Sequence, residues 1–267
     1  MRIGVVGAGK LAQGIIQGLL DSKLANKKSI WATTKTRSSA KKVAKKLGIS
    51  CTTVMDPKKL AACDIILLGA KPYHLQDMCE DLKAAGLKKR TLILSLLAGV
   101  SSEKISKILN QDNPVILTMT NTPCLVRMGM TTLFQGKHAK PSHLKAAKRI
   151  FEQVGRVEVL SEEFFHEVTA LSGSGPAFAY YYAQQMREAA KHMGLPQDKA
   201  LTLAAQTLKG AAEMLLNSGK PPEELISNVT TPGGCTAEGM KVLKDSNFAG
   251  ILAQTLRSTR KRSQSLG

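Results

Sequence analysis

Gly4-Val5-Val6-Gly7-Ala8-Gly9-Lys10-Leu11-Ala12 is the stretch whose reading decides the fold of this chain. An apolar β-type run enters a Gly-x-Gly-x-x-Ala turn, and a segment of helical periodicity leaves it. In that setting Gly7 permits a tight turn, Gly9 lets the main chain approach a pyrophosphate, and the small Ala12 lets helix pack on strand. The amides at the helix start, around Ala8, Lys10 and Leu11, then face the phosphates. The bland alternative is a structural glycine turn, and the strand-turn-helix context favours dinucleotide binding over it.

The next informative segment lies at the end of the second candidate strand, where an acidic residue would mark NAD(H) by binding the ribose 2′-hydroxyl. The chain instead reads Thr33-Thr34-Lys35-Thr36-Arg37. Hydroxyls and two cations suit a 2′-phosphate, so Thr34, Thr36 and Arg37 are candidate NADPH ligands, with NADH use possible. A merely solvated basic loop is the competing reading.

Outward from these motifs, the first 160 residues alternate short β-rich apolar runs with helical stretches, the pattern of βαβ units and a parallel sheet. Candidate strands are 2–6, 29–33, 49–53, 64–69, 91–96, 115–119, 131–134 and 156–159. Ser101-Ser102-Glu103 and Ser142 look like capped helix starts. After about residue 161 the β signal stops, and Ala-, Leu- and Met-rich helices follow, broken at Gly194-Leu195-Pro196 and at Gly219 to Pro222. The expectation is an α/β chain with a Rossmann-type doubly wound sheet over 1–160 and an all-helical domain over 161–267. The helix around Leu201 to Leu216 has little polar face, which predicts burial against a second subunit.

Composition bounds the rest. Hydrophobic residues at 43 % and charged residues at 22 % are those of an ordinary globular chain. Five scattered cysteines, none in a Cys-x-x-Cys pair, argue against a disulfide framework and a metal site, and point to a reducing, cytoplasmic setting. Glycines and Lys10 interrupt the apolar N-terminal run, so it is read as structure and not as a signal peptide or membrane anchor. Net charge is +18. Residues 1–160 hold 27 basic and 10 acidic side chains, the rest 11 and 10. Scattered lysine doublets and few aromatic platforms favour a solvated basic face, useful for capturing an anionic cofactor, over nucleic-acid binding.

Two further blocks carry chemistry. Leu171-Ser172-Gly173-Ser174-Gly175-Pro176 and Asn228-Val229-Thr230-Thr231-Pro232-Gly233-Gly234-Cys235-Thr236 are small-residue turns ahead of helices, where free amides suit a carboxylate. Plain capping by Ser and Thr is the alternative. Together with Ala70-Lys71-Pro72, Ala98-Gly99-Val100 and Met119-Thr120-Asn121-Thr122-Pro123, these blocks closely resemble the pyrroline-5-carboxylate reductase family over essentially the whole chain.

The resemblance implies hydride transfer from NADPH to the imine carbon of 1-pyrroline-5-carboxylate, yielding L-proline, with the helical domain serving both substrate binding and dimerisation. By position, Thr36 and Asp56 would lie near the adenosine ribose. Ala70, Lys71, Pro72 and Ala98 would line the nicotinamide path, and Asn228 would reach the cofactor. Gly233, Gly234, Cys235 and Thr236 would clasp the substrate carboxylate, and Thr236 would hydrogen-bond the imine nitrogen as the catalytic residue. A homodimer or a multiple of dimers is implied, with no metal, nucleic acid or membrane. The chain departs from the family pattern at Leu117, Asp56, Gly219 and Lys244. Other readings are a related NADPH-dependent imine or β-hydroxyacid dehydrogenase, weakened by the lack of any lysine between Gly175 and Ala190, and an inactive NADPH- or nucleic-acid-binding regulator. The basic residues Arg257, Arg260, Lys261 and Arg262 are the regulator's best support.

Overall fold

The computed structural model describes residues 1–266. Eight strands, β1 (Ile3–Val6), β2 (Ile30–Thr33), β3 (Ser50–Thr52), β4 (Ile65–Leu68), β5 (Leu92–Ser95), β6 (Val115–Thr120), β7 (Gly129–Gln135) and β8 (Gly155–Leu160), form one sheet. Their order is β3-β2-β1-β4-β5-β6-β7-β8. The first six are parallel neighbours in the 3-2-1-4-5-6 order of a dinucleotide-binding sheet. All eight candidate strands form, with ends displaced by one or two residues.

The sheet is not wholly parallel, which corrects the simple βαβ expectation. β7 runs antiparallel to β6, pairing Thr120 with Thr131, and β8 then runs parallel to β7. The physical reason is length. Only residues 121–128 separate β6 from β7, and a parallel return needs a crossover of a dozen residues or more.

Helices α1 (Lys10–Asp21), α2 (Arg37–Leu47), α3 (Pro57–Ala61), α4 (Leu75–Ala84), α5 (Ser102–Leu109) and α6 (Pro141–Phe151) intervene between strands. Alternation within each strand splits the core in two. Ile3, Val5, Ile65 and Leu67 pack with Ile15, Ile16 and Leu19 of α1 and Phe151 of α6. Val6, Ile66 and Leu68 pack with Leu75 and Leu82 of α4 and Ile105 of α5 on the opposite face. Both faces of a parallel sheet are thereby covered. Ser101 caps α5 as expected, its hydroxyl accepting from the Lys104 amide at 3.1 Å. Ser142 does not cap α6. That helix begins at Pro141, and His143 reaches back so that its Nδ1 accepts the Lys140 amide at 3.0 Å.

After β8 come α7 (Phe165–Val168) and a π-helical turn over Thr169–Gly173. Phe165 and Val168 join the second core, with the Phe165 ring 5.3 Å from that of Phe134. α8 (Gly175–His192), α9 (Gln197–Asn217), α10 (Pro222–Val229), α11 (Cys235–Asp245) and α12 (Phe248–Gln264) complete the chain. By compactness one unit comprises Met1–Ser174 with the segment from Thr259 onward, and the other Gly175–Ser258. In the first unit the end of α12 is tied by an Arg260 Nε to Glu167 ion pair of 2.7 Å and a 2.9 Å hydrogen bond between His166 Nδ1 and Ser263. Arg260, one of the basic-tail residues, is thus already paired.

In the second unit α8 and α9 pack against one another as a helical hairpin, turning where Gly194 takes a φ of +91°. α8 has no buried residue and α9 only Ala200 and Ala204. Leu203, Met214, Leu215, Leu216, Ile226, Val229, Val242 and Ile251 are all exposed in the single chain.

Candidate functional site

Register builds the candidate cofactor region of the first unit. Val6 pairs with both Thr33 and Leu68, and Leu68 with Ser95, so the loops after β1, β2, β4 and β5 leave the sheet along one edge. At its centre Gly7 takes a φ of +88°, and a Cβ there would lie 2.8 Å from the Ala70 nitrogen. No other residue type fits both the conformation and the space. The Gly7 and Ala8 amides donate to Thr33 O at 3.2 and 2.8 Å, fastening the turn to β2. Gly9 then starts α1 with no side-chain cap, and a Cβ on it would touch only Gly69 O at 3.7 Å. The space over Gly9 is open, and the first-turn amides of Lys10, Leu11 and Ala12 face it with no internal acceptor. An uncapped helix start beneath a bare main chain fits a pyrophosphate.

Gly69 is a member of this cradle that sequence reasoning missed. A Cβ there would come 2.6 Å from Gly7 O and 3.2 Å from Ala12 Cβ. Its signal is present in the Gly69-Ala70 step directly after an apolar strand, but only the side-by-side pairing of β1 with β4 reveals the conflict.

Along the same edge, the Thr34 amide donates to Thr52 O at 3.0 Å and its hydroxyl to Thr36 O at 3.2 Å. Thr36 caps α2, its Oγ1 accepting from the Ser39 amide at 3.2 Å. Arg37, the first residue of α2, is exposed and has no ion pair among the described residues. Asp56 caps α3 through Oδ1, which accepts the Lys58 and Lys59 amides at 2.9 and 3.3 Å and leaves Oδ2 without a partner among the described residues. Ala70, Lys71 and Pro72 follow β4, with Lys71 exposed ahead of a short 3-10 turn. Ala98 is half-buried after β5.

Asn121, after β6, uses both ends of its amide: Oδ1 accepts the Met130 amide at 2.9 Å and Nδ2 donates to Ser172 O at 3.2 Å. Leu117 is buried in the second core and takes no part in holding the loop around Asn121, which the Asn121 amide ties down. The block from Leu171 to Pro176 is not the open turn expected. It runs as a π-helical turn into α8, the Ser174 amide donating to Thr169 O at 2.9 Å, so its amides are largely consumed. Within it the Ser172 hydroxyl is buried and unpartnered. Single π turns of this kind recur at functional sites.

A separate candidate region lies in the helical unit. Asn228 sits exposed in the last turn of α10. Gly233 takes a φ of +71°, and a Cβ on Gly234 would lie 2.5 Å from Thr231 Oγ1, so both glycines are dictated by the turn. α11 starts after Gly234 with no side-chain cap, presenting the amides of Cys235 and Thr236. Both residues are exposed, and the Thr236 hydroxyl has no partner among the described residues. Lys244 lies in the last turn of α11, where the helix dipole favours a cation. Burial pushes the thiols of Cys79 and Cys124 up to about 11 and raises those of Cys51 and Cys63, which makes all four poor nucleophiles. No cluster of three or more His, Cys, Asp or Glu that could hold a metal occurs among the described residues. No described helix is long and apolar enough to cross a membrane.

The chain is similar to known proteins along most of its length. A family profile described as pyrroline-5-carboxylate reductase dimerisation matches residues 162–266, and one described as NADP oxidoreductase, coenzyme F420-dependent, matches residues 2–99. The chain is 34 % identical to pyrroline-5-carboxylate reductase 2 of Bacillus subtilis over 263 residues, covering 98 % of this chain and 94 % of that one. The structure of the pyrroline-5-carboxylate reductase of Coxiella burnetii is similar at a TM-score of 0.91 and 31 % identity, covering 100 % and 98 % of the two chains. The pyrroline carboxylate reductase of Plasmodium falciparum, solved with NADP bound, shares the fold at a TM-score of 0.88 and 24 % identity over 100 % and 98 %.

Proposed function

The chain belongs to the pyrroline-5-carboxylate reductase family, and from that premise we propose which of its residues carry the reaction, the reduction of 1-pyrroline-5-carboxylate to L-proline. NADPH, when bound, supplies the hydride that adds to the imine carbon. A proton on nitrogen completes the amine.

The residues do the holding. Gly7, Ala8 and Gly9 admit the pyrophosphate, and the amides of Lys10 and Leu11 bind it. Thr34, Thr36 and Arg37 read the 2′-phosphate, with Arg37 supplying the guanidinium, while Asp56 accepts a ribose hydroxyl through Oδ2. Ala70, Lys71, Pro72 and Ala98 border the nicotinamide, and Asn228 binds the cofactor. Gly233, Gly234, Cys235 and Thr236 clasp the substrate carboxylate by main-chain amides. The Thr236 hydroxyl hydrogen-bonds the imine nitrogen and guides its proton. Such a small catalytic set is enough, because a protonated imine is already electrophilic and positioning supplies most of the acceleration.

The observation that carries the reading is the likeness running through both the Gly7 cradle and the Gly233–Thr236 turn in one chain. Oligomerisation proceeds through the C-terminal region. We place the assembly as a homodimer or a multiple of dimers, in the cytoplasm, without a nucleic-acid partner. The test is isotopic. With 1-pyrroline-5-carboxylate and NADPH deuterated at the transferable position, deuterium appears at C5 of proline. Proline formed without label, or no proline, refutes the reaction as written.

A further inference from the structure

Two of the lysine doublets have side chains with no part in the dinucleotide reading, although the main-chain amides of one are accepted by Asp56. Arg2, Lys27, Lys28, Lys58 and Lys59 line a cavity of about 550 Å³ at the opposite edge of the sheet, where β1, β2 and β3 begin. No carboxylate lines it. The two acidic residues nearest in sequence are turned to other groups. Asp56 spends Oδ1 on the Lys58 and Lys59 amides, and Asp64 accepts from the Arg2 amide at 2.8 Å and pairs with the N-terminal amine at 3.9 Å. None of the five cationic side chains has an ion pair among the described residues. Lys59 Nζ donates to Ser50 Oγ at 2.7 Å, and Lys27 lies over the bare Gly48, where a Cβ would come 2.9 Å from its Nζ.

Five like charges around one concavity with no counter-charge raise the local potential, and a bound polyanion relieves it. We propose that this cavity is a binding site for a di- or polyphosphate, separate from the dinucleotide cradle. The count and spread of the cations favour a multivalent anion over a single carboxylate. Ligand and NADPH bind together, because the strands of the sheet separate their sites.

The test uses the full-length protein saturated with NADPH, which fills the cradle, titrated calorimetrically with inorganic pyrophosphate. One site per chain is expected, weakening as salt is raised. Lys28→Gln with Lys58→Gln lowers the pyrophosphate affinity at least about tenfold and leaves NADPH affinity unchanged. Lys41→Gln with Lys42→Gln removes the same charge from α2 and changes it less than about twofold. A parallel titration with ADP assigns the source: tighter binding than pyrophosphate marks a nucleoside diphosphate, equal or weaker binding an inorganic one, and either upholds the site. Absence of binding to the NADPH-saturated protein, or equal losses in the two double variants, overturns it.

Discussion

Arg37 and Thr236 show how much of the account rests on single side chains. Arg37 opens α2 directly after β2 and its short loop, exposed and without an ion pair among the described residues. A charge-assisted contact to a 2′-phosphate is worth about 1.5–3 kcal/mol. Arg37→Ala is therefore expected to weaken NADPH binding by about tenfold to a hundredfold and NADH binding little, read by fluorescence titration of both. Equal losses would mean that the 2′-phosphate is read elsewhere. Thr236 offers a hydroxyl at the start of α11 that has no partner among the described residues. Thr236→Ala should lower kcat by roughly tenfold or more with NADPH affinity intact, and Thr236→Ser should restore most of it. An unchanged kcat removes Thr236 from the chemistry.

At the scale of elements, the start of α6 carries a pH signature. His143 Nδ1 accepts the Lys140 amide, which requires the unprotonated ring, and burial followed by the Lys140 charge lowers its pKa from 6.5. A group whose folded pKa is depressed contributes stability above its unfolded value and loses it as pH falls through the folded one. Wild type should therefore lose thermal stability on going from about pH 7 to below 6.5 more steeply than His143→Gln, measured as the shift in Tm. Parallel curves would contradict this. The strands were legible because buried parallel strands are apolar runs between turn residues, and the Gly7 turn because only one backbone serves it. The direction of β7 is legible too, in the connection at residues 121–128, which is too short for a parallel crossover. The π turn at Thr169–Gly173 was not, since small residues read equally as an open turn. The cation cavity was invisible for another reason: its doublets lie some thirty residues apart, and only the sheet brings them together.

For the whole molecule, the helical unit exposes more apolar side chain than a monomer ordinarily presents. The little polar face of α9 predicts burial against a partner, and its exposure in the single chain, with only Ala200 and Ala204 buried, has the same physical meaning. Light scattering should give the mass of a dimer or a multiple of it. Leu203→Glu with Leu215→Glu should lower that mass and the Tm together, because on a true monomer surface such changes stay within about 0.5 kcal/mol. A wild-type monomer would sink the claim. The positive first half, with its excess of 17 basic over acidic residues, suits rapid capture of an anionic cofactor and predicts a KM for NADPH that rises with salt.

The most direct measurement is the loss of dihydronicotinamide absorbance with 1-pyrroline-5-carboxylate, run side by side with NADPH and NADH. The account predicts rapid oxidation of NADPH, a lower kcat/KM with NADH, and stoichiometric proline. Protein that binds NADPH yet oxidises neither cofactor with this substrate would contradict it.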